Sequence, residues 1–229
     1  FSLLVLSMSL SETKSDLQDR PLLVGCPANV LPHESTIVEL DRPREIQILK
    51  KTLDSNRELV LVSPLSLHMN SDPVPGCLAK VISGETRVNG RFLTLLTGLR
   101  RVAVSDSIVD SQGMHWARFH DIVDCYSDPS QDSPAGLRHR LILAVESTVR
   151  KQGRHDLASL LRNEEISLGS LADLLAASFP HSCPQYVKFL EEQKVHARAR
   201  LLIQMFRGLP DSYTTSTPWM DSLFRHREN

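Results

Sequence analysis

The spacing of apolar positions changes once along the chain. From residue 21 to about residue 124, short apolar runs alternate with turn-forming residues; beyond residue 133 the apolar positions recur with the 3.6-residue period of helices. Strands are predicted over residues 21–24, 36–40, 58–65, 77–87, 91–97, 101–108 and 115–125. Asn89-Gly90 falls between two of them and predicts a hairpin with a type I′ turn, because both residues tolerate φ > 0. One helix interrupts the series, with Asp41 predicted as its cap, Pro43 in its first turn, and Ile46, Leu49 and Leu53 on one face. Short strands this close together, around a single helix, predict a small coiled β-barrel.

In the second half, Ser133-Pro134 opens a helix with Leu137, Leu141, Val145 and Val149 along one face. A shorter helix is predicted around residues 155–162. A third is capped by Ser167, turns Leu168, Leu171, Leu174 and Leu175 inward, and stops at Pro180. The longest runs from Ser182 and Pro184 to about Leu209. None of these stripes is buried by its own helix, so the helices must pack on each other. The expected fold class is α+β: a leader over residues 1–20, a barrel over 21–126, a helical bundle over 133–209 and a tail over 210–229. Residues 1–7 read as preceding a natural start at Met8. In the tail, Trp219, Met220, Leu223 and Phe224 lie on one face of a short helix; the tail docks on its own bundle, stays disordered, or anchors in a partner's groove.

Composition narrows the function. The 26 Lys+Arg and 27 Asp+Glu leave a net charge of -1, and only 5% of residues are aromatic, so nucleic-acid binding is disfavoured. The apolar decad at the start is too short to cross a bilayer, and no membrane partner is expected. Cysteines at 26, 77, 125 and 183 include no C-x-x-C pair, and read as reduced thiols of a cytoplasmic protein. Phosphate-cradling, dinucleotide, zinc-protease and serine-elbow motifs are absent, so no cofactor, metal or catalytic residue is expected. Within 229 residues there is no room for a nucleotide-driven motor beside the modules already placed.

Two surface features remain. Leu65, Leu67 and Met69 alternate with polar residues ahead of a Pro-rich turn, as either an edge strand feeding the core or an edge that pairs with an extended client. Trp116, on the last predicted strand, joins them as a candidate peptide contact. Basic residues cluster at Arg138-His139-Arg140 and at His196-Ala197-Arg198-Ala199-Arg200, which read as solvated polar faces.

Three stretches together resemble the amino-terminal domain of the Lon proteases. They are Val38 to Leu53 followed by Asn56 to Val62, then Gly76-Cys77-Leu78-Ala79-Lys80-Val81, then Asn89 to Val102, where Gly98 and Arg101 fall on a glycine and an arginine of the family pattern. The resemblance extends from about Pro21 to Leu209 and implies a PUA-like barrel followed by a helical bundle. It assigns Gly76, Gly98 and Arg101 mainly structural roles. The opening segment departs from the family pattern, with His33 where glycine is common. The resemblance implies a stand-alone, non-catalytic polypeptide binder, without the family's ATPase and Ser-Lys protease domains. Its expected partners are unfolded or apolar segments, a protease or chaperone, and a second copy of itself; an RNA-binding PUA-like protein is the alternative.

Overall fold

A computed structural model describes residues 18–24, 30–64, 66, 72–127, 133–151, 155–178 and 183–207. It is a mixed α+β structure with a six-stranded sheet. The strands are β1 (Gln18–Val24), β2 (Ser35–Leu40), β3 (Glu58–Val62), β4 (Val74–Thr86), β5 (Phe92–Val109) and β6 (His115–Asp121), with α1 (Pro43–Leu53) between β2 and β3. The helices that follow are α2 (Pro134–Lys151), α3 (His155–Arg162), α4 (Leu168–Ala177), α5 (Cys183–Glu191) and α6 (Val195–Arg207).

The sheet order is β2-β5-β4-β3-β1-β6, and β6 pairs again with β5, so five strands form a closed circuit of pairings with β2 outside it. Only β1 and β3 run parallel, and α1 lies on the crossover that this direction demands. The two runs predicted at 91–97 and 101–108 are one 18-residue strand, because β4 stays paired across the join with a register shift that skips Leu99, Ala79 opposite Gly98 and Leu78 opposite Arg100. Its first part also pairs with β2, and its last part with β6. Register shifts at Leu78/Ala79, Val81/Ser83 and Val104/Asp106 bend these strands enough to meet around the circuit. Successive residues of β3 enter different cores: Leu59 and Leu61 join Leu49, Phe92 and Leu96, while Val60 and Val62 join Val102, Val104 and Phe119. Burial on both faces is why this strand reads as an unbroken apolar run.

Local chemistry departs from expectation in three places. The hairpin at Asn89-Gly90 forms, but only Gly90 has positive φ (81°), and Gly90 N donates to Arg87 O at 2.9 Å. This is a three-residue loop that ends in a left-handed glycine, not a type I′ turn. Residues 110–114 repeat the design, with Gly113 at φ 76° and Gly113 N bonded to Asp110 O. The cap of α1 is Arg42 rather than Asp41; its side chain makes no cap bond and instead reaches Glu45 at 3.2 Å. The strand predicted over 58–65 ends at Val62, where Ser66 N turns back to Ser63 O at 3.0 Å.

In the helical half, Ser133 Oγ accepts from Gly136 N and Ser167 Oγ from Ser170 N, as the capping residues predicted. Leu137, Leu141, Val145 and Val149 are at most 1% exposed and pack with residues of α3 to α6. The helix expected from 182 to 209 is two helices broken at residues 192–194. There Cys125, leaving the sheet, forms a parallel bridge with Lys194: Cys125 N donates to Gln193 O at 2.9 Å and Val195 N to Cys125 O at 3.0 Å. Backbone groups taken by Cys125 are lost to the helix ladder, so the helix stops without glycine or proline.

Sheet and helices also share apolar contacts, since Leu31 and Cys77 belong to the helical core, and Tyr186 Oη donates to Val30 O at 2.9 Å. Residues 31–34 form a turn clamped on β5: His33 N donates to Gly98 O at 2.9 Å and Gly98 N to Glu34 O at 2.8 Å. A Cβ on Gly98 would stand 2.1 Å from Leu31 O, whereas one on Gly90 would meet open space. Gly98→Ala is therefore expected to cost about 3 kcal/mol through displaced backbone. Gly90→Ala should cost about 1 kcal/mol, from its positive φ alone. Urea denaturation of both variants measures the difference; equal losses would contradict the packing described.

Candidate functional site

Where sheet meets helices, four charged side chains from four parts of the chain converge: Arg101 on β5, Asp124 after β6, Asp173 on α4 and Arg198 on α6. The side chains of Arg198 and Arg101 are 0% and 4% exposed, so neither charge is tolerable without partners. Asp124 Oδ1 accepts from Arg101 Nη2, and from Arg198 Nη2 at 2.9 Å. Asp173 sits 3.7 Å from Arg101 Nε and 3.2 Å from Arg198 Nε. The latter approach lacks hydrogen-bond alignment, so attraction there is between charges alone. Both arginines also donate to Glu192 O, at 2.6 and 3.0 Å, the first carbonyl of the helix break. Burial pulls the Arg101 guanidinium down and pushes the Asp173 carboxyl up, against the opposing charges. The cluster is a clamp between layers: a Cβ at Gly169 would stand 2.0 Å from Asp124 Oδ2, so the helix backbone itself fits around it.

Beside the clamp, Glu34 Oε2 accepts from Leu31 N at 2.8 Å. Burial beside the Cys77 thiol raises the Glu34 carboxyl from 4.5 to about 7, and burial pushes that thiol up as well.

Of the sequence-derived surface residues, Leu65, Leu67 and Met69 lie outside the described residues. Trp116 is half-buried against the core beneath α1 and lines a depression of about 320 Å³ with Pro21, Lys51, Asp110, Gln112 and Met114. Its Nε1 donates to Asp110 Oδ2 at 3.0 Å. Asp110 Oδ1 accepts from Gln112 N and Met114 N, both in its own loop, and Lys51 Nζ meets Gln112 Oε1. The Trp116 hydrogen bond, followed by that from Met114 N, holds the Asp110 carboxyl below its ordinary range. The depression thus has an aromatic wall fixed by a carboxylate, beside a methionine. A second depression, about 250 Å³, lies where Ile37, Leu93 and Leu95 share a face of β2 and β5 beside Ser83 and Glu85.

Gly76 packs against β3, where a Cβ would stand 2.8 Å from Leu61 O. Gly98 and Arg101 take part in the clamped turn and the ion cluster. The sequence reading missed Asp124, Asp173 and Glu34, and misplaced His196 and Arg198, which are 3% and 0% exposed rather than solvated. A lone carboxylate inside the leucine-rich run of α4 was the available signal for Asp173. Among the described residues, no group of three His, Cys, Asp or Glu side chains is placed to hold a metal ion. No described helix is long and apolar enough to cross a membrane.

The family model described as the ATP-dependent protease La (LON) substrate-binding domain matches residues 21–207. No curated protein matches the chain. Among solved structures, the chain is similar to the N-terminal domain of the Mycobacterium avium complex Lon protease, at 17% identity and a TM-score of 0.68, over 84% of this chain and 100% of that one. It is also similar to a Lon N-terminal domain protein from Xanthomonas campestris, at 18% identity and a TM-score of 0.58, over 84% and 99% of the two chains. At these identities the likeness is one of fold.

Two outcomes follow for the junction. Arg198→Met should cost about 3–5 kcal/mol by leaving a buried carboxylate uncompensated, and adding Asp173→Asn should recover part of that loss. A double-mutant cycle in urea reads both; no recovery would mean the pair is not coupled. For Glu34, the folded state binds its proton more tightly than the unfolded one. The associated stability is fully present below pH 4.5 and is lost as pH rises through about 7. Glu34→Gln should therefore gain on the native protein by up to about 3 kcal/mol between pH 5 and pH 8. Denaturation at the two pH values checks it; parallel losses in both proteins would refute the assignment.

Proposed function

Since the chain belongs to the ATP-dependent protease La (LON) substrate-binding domain family, we propose that it binds polypeptide segments without cleaving them. The single observation that carries this reading is the family match, which spans residues 21–207 and so takes in both the sheet and the helices. The closed circuit of strands is read here as the family's PUA-like barrel. The work proposed for this chain is recognition, independent of nucleotide, in the cytoplasm and alongside a protease or chaperone that acts on what it holds.

The surface supplies a physical basis for tolerant recognition. At the Trp116 depression an indole held by Asp110 offers apolar area without loss of side-chain freedom, and Met114 adapts to whatever shape rests on it. β2 pairs with β5 alone among the described strands, so its other edge offers backbone groups to an extended client. Leu65, Leu67 and Met69 are proposed as further contacts for the same apolar segments.

The test is fluorescence anisotropy with a labelled, reduced and carboxymethylated client. Binding in the micromolar range is expected, unchanged by ATP, and weakened about tenfold by Trp116→Ala. Binding no better than that of an unrelated domain of equal size would remove the proposal. An unchanged affinity in Trp116→Ala would remove the depression as its site.

A further inference from the structure

Among the described residues, the exposed asparagines are Asn56, Asn89 and Asn163, and all three turn the side chain the same way. The Oδ1 of each accepts the backbone N–H two residues on: Glu58 N at 3.1 Å, Arg91 N at 3.1 Å and Glu165 N at 3.0 Å. That bond polarises the amide carbonyl, so Cγ is the more open to attack, and it aims a donor at the oxyanion such an attack would form. The three differ in the residue that follows. Arg57 and Glu164 carry side chains beside their backbone nitrogens, whereas Gly90 carries none. A Cβ on Gly90 would meet open space, so nothing crowds its nitrogen from outside the turn.

The setting of Asn89 also lets the chain move. It lies at the tip of the β4–β5 hairpin, where residues 82–91 are all exposed and none belongs to an apolar core. Gly90 N is bonded to Arg87 O at 2.9 Å and must leave it before attacking, but opening a tip with no buried contacts is local and costs little. At Asn56 the next nitrogen, Arg57 N, is instead tied at 3.0 Å to the carbonyl of Thr52, a residue 0% exposed.

We propose that Asn89 is a site of spontaneous covalent modification, its side-chain amide closing onto Gly90 N to give a succinimide that water opens to aspartate or isoaspartate. In the first step Gly90 N gives its proton to solvent base and bonds to Asn89 Cγ, while the Cγ–Nδ2 bond breaks and Nδ2 leaves as ammonia. In the second, water adds to one ring carbonyl. Breaking the new Cγ–N bond leaves aspartate; breaking the original peptide bond leaves isoaspartate, with the main chain rerouted through Cβ and Cγ. Water is the only co-reactant, and the inference does not depend on what the chain binds. Either product adds a negative charge between Arg87 and Arg91 to a chain whose net charge is -1. Ring closure removes the N–H that holds Arg87 O, and the isoaspartyl product lengthens the main chain by one carbon, so the three-residue loop is lost.

The experiment incubates the whole chain at 37 °C, at pH 6 and pH 8, in water enriched in oxygen-18, with and without 6 M guanidinium chloride. Peptide mapping by mass spectrometry and labelling by an isoaspartate-specific methyltransferase read the products. Without denaturant, the peptide containing Asn89 should gain about 3 Da, from loss of the amide nitrogen and uptake of heavy oxygen. The gain should be faster at pH 8, because the attacking amide must lose its proton, and part of the product should accept the methyl label. Peptides containing Asn56 and Asn163 should stay unchanged over the same period. Asn89→Gln should abolish the gain at that position, and Gly90→Ala should slow it severalfold. The comparison among the three asparagines decides the proposal even if neither variant folds. A gain confined to the denatured chain, an equal gain at Asn56 or Asn163, or a product with no isoaspartate would overturn it.

Discussion

Two guanidiniums that are almost fully buried share one backbone carbonyl, Glu192 O, and the arrangement of sheet on helices depends on how that is tolerated. Arg101 brings the centre of the longest strand, Arg198 the start of the last helix, and Asp124 and Asp173 supply the opposite charges. Because a charge left in this interior without its partner is costly, the four elements are constrained to meet in one geometry. The helix break at 192–194 belongs to the same constraint, since its first carbonyl, Glu192 O, is satisfied by side chains and the next residues by Cys125. Around this polar centre the apolar contacts of Leu31, Cys77 and Tyr186 hold the layers together without specifying direction.

Much of this was legible in the sequence, and what was not has physical reasons. The change from strand runs to helical period matches the change from strands to helices between β6 and α2, and Ser133 and Ser167 marked helix starts because their hydroxyls satisfy exposed amides. The break between α5 and α6 was invisible, because Glu192, Gln193 and Lys194 are all compatible with helix and the interruption is made with Cys125, far away in sequence. Arg198 was misread for a related reason: an arginine between two alanines has the pattern of a solvated face, and only the positions of Asp124 and Asp173 make it an interior residue. Gly98 and Arg101 stood out through family resemblance, which located them without revealing that one admits a backbone turn and the other a buried charge. At the candidate site the indole of Trp116 was legible, whereas the carboxylate that holds it lies in a loop the pattern did not single out.

The distribution of polar groups separates the work of the molecule. The buried charges are matched inside the junction, so they give it rigidity and geometric definition. The depressions at Trp116 and beside Ile37 offer different chemistry, one walled by an indole, the other an aliphatic face beside Ser83 and Glu85. A rigid joint with dissimilar shallow surfaces is compatible with the tolerant recognition proposed above.

The strand circuit also sets an order of events at the ribosome. β1 has its parallel partner β3 close behind it in sequence, but its other neighbour is β6, with Gln18 opposite Phe119. At about 5–20 residues per second, roughly 5–20 seconds of synthesis separate the two. Throughout that interval β1 lacks its β6 partner, and the clamp is later still, since Arg198 is the last of its four members to be made. A domain whose proposed work is to hold the unfinished segments of other proteins therefore begins as one itself.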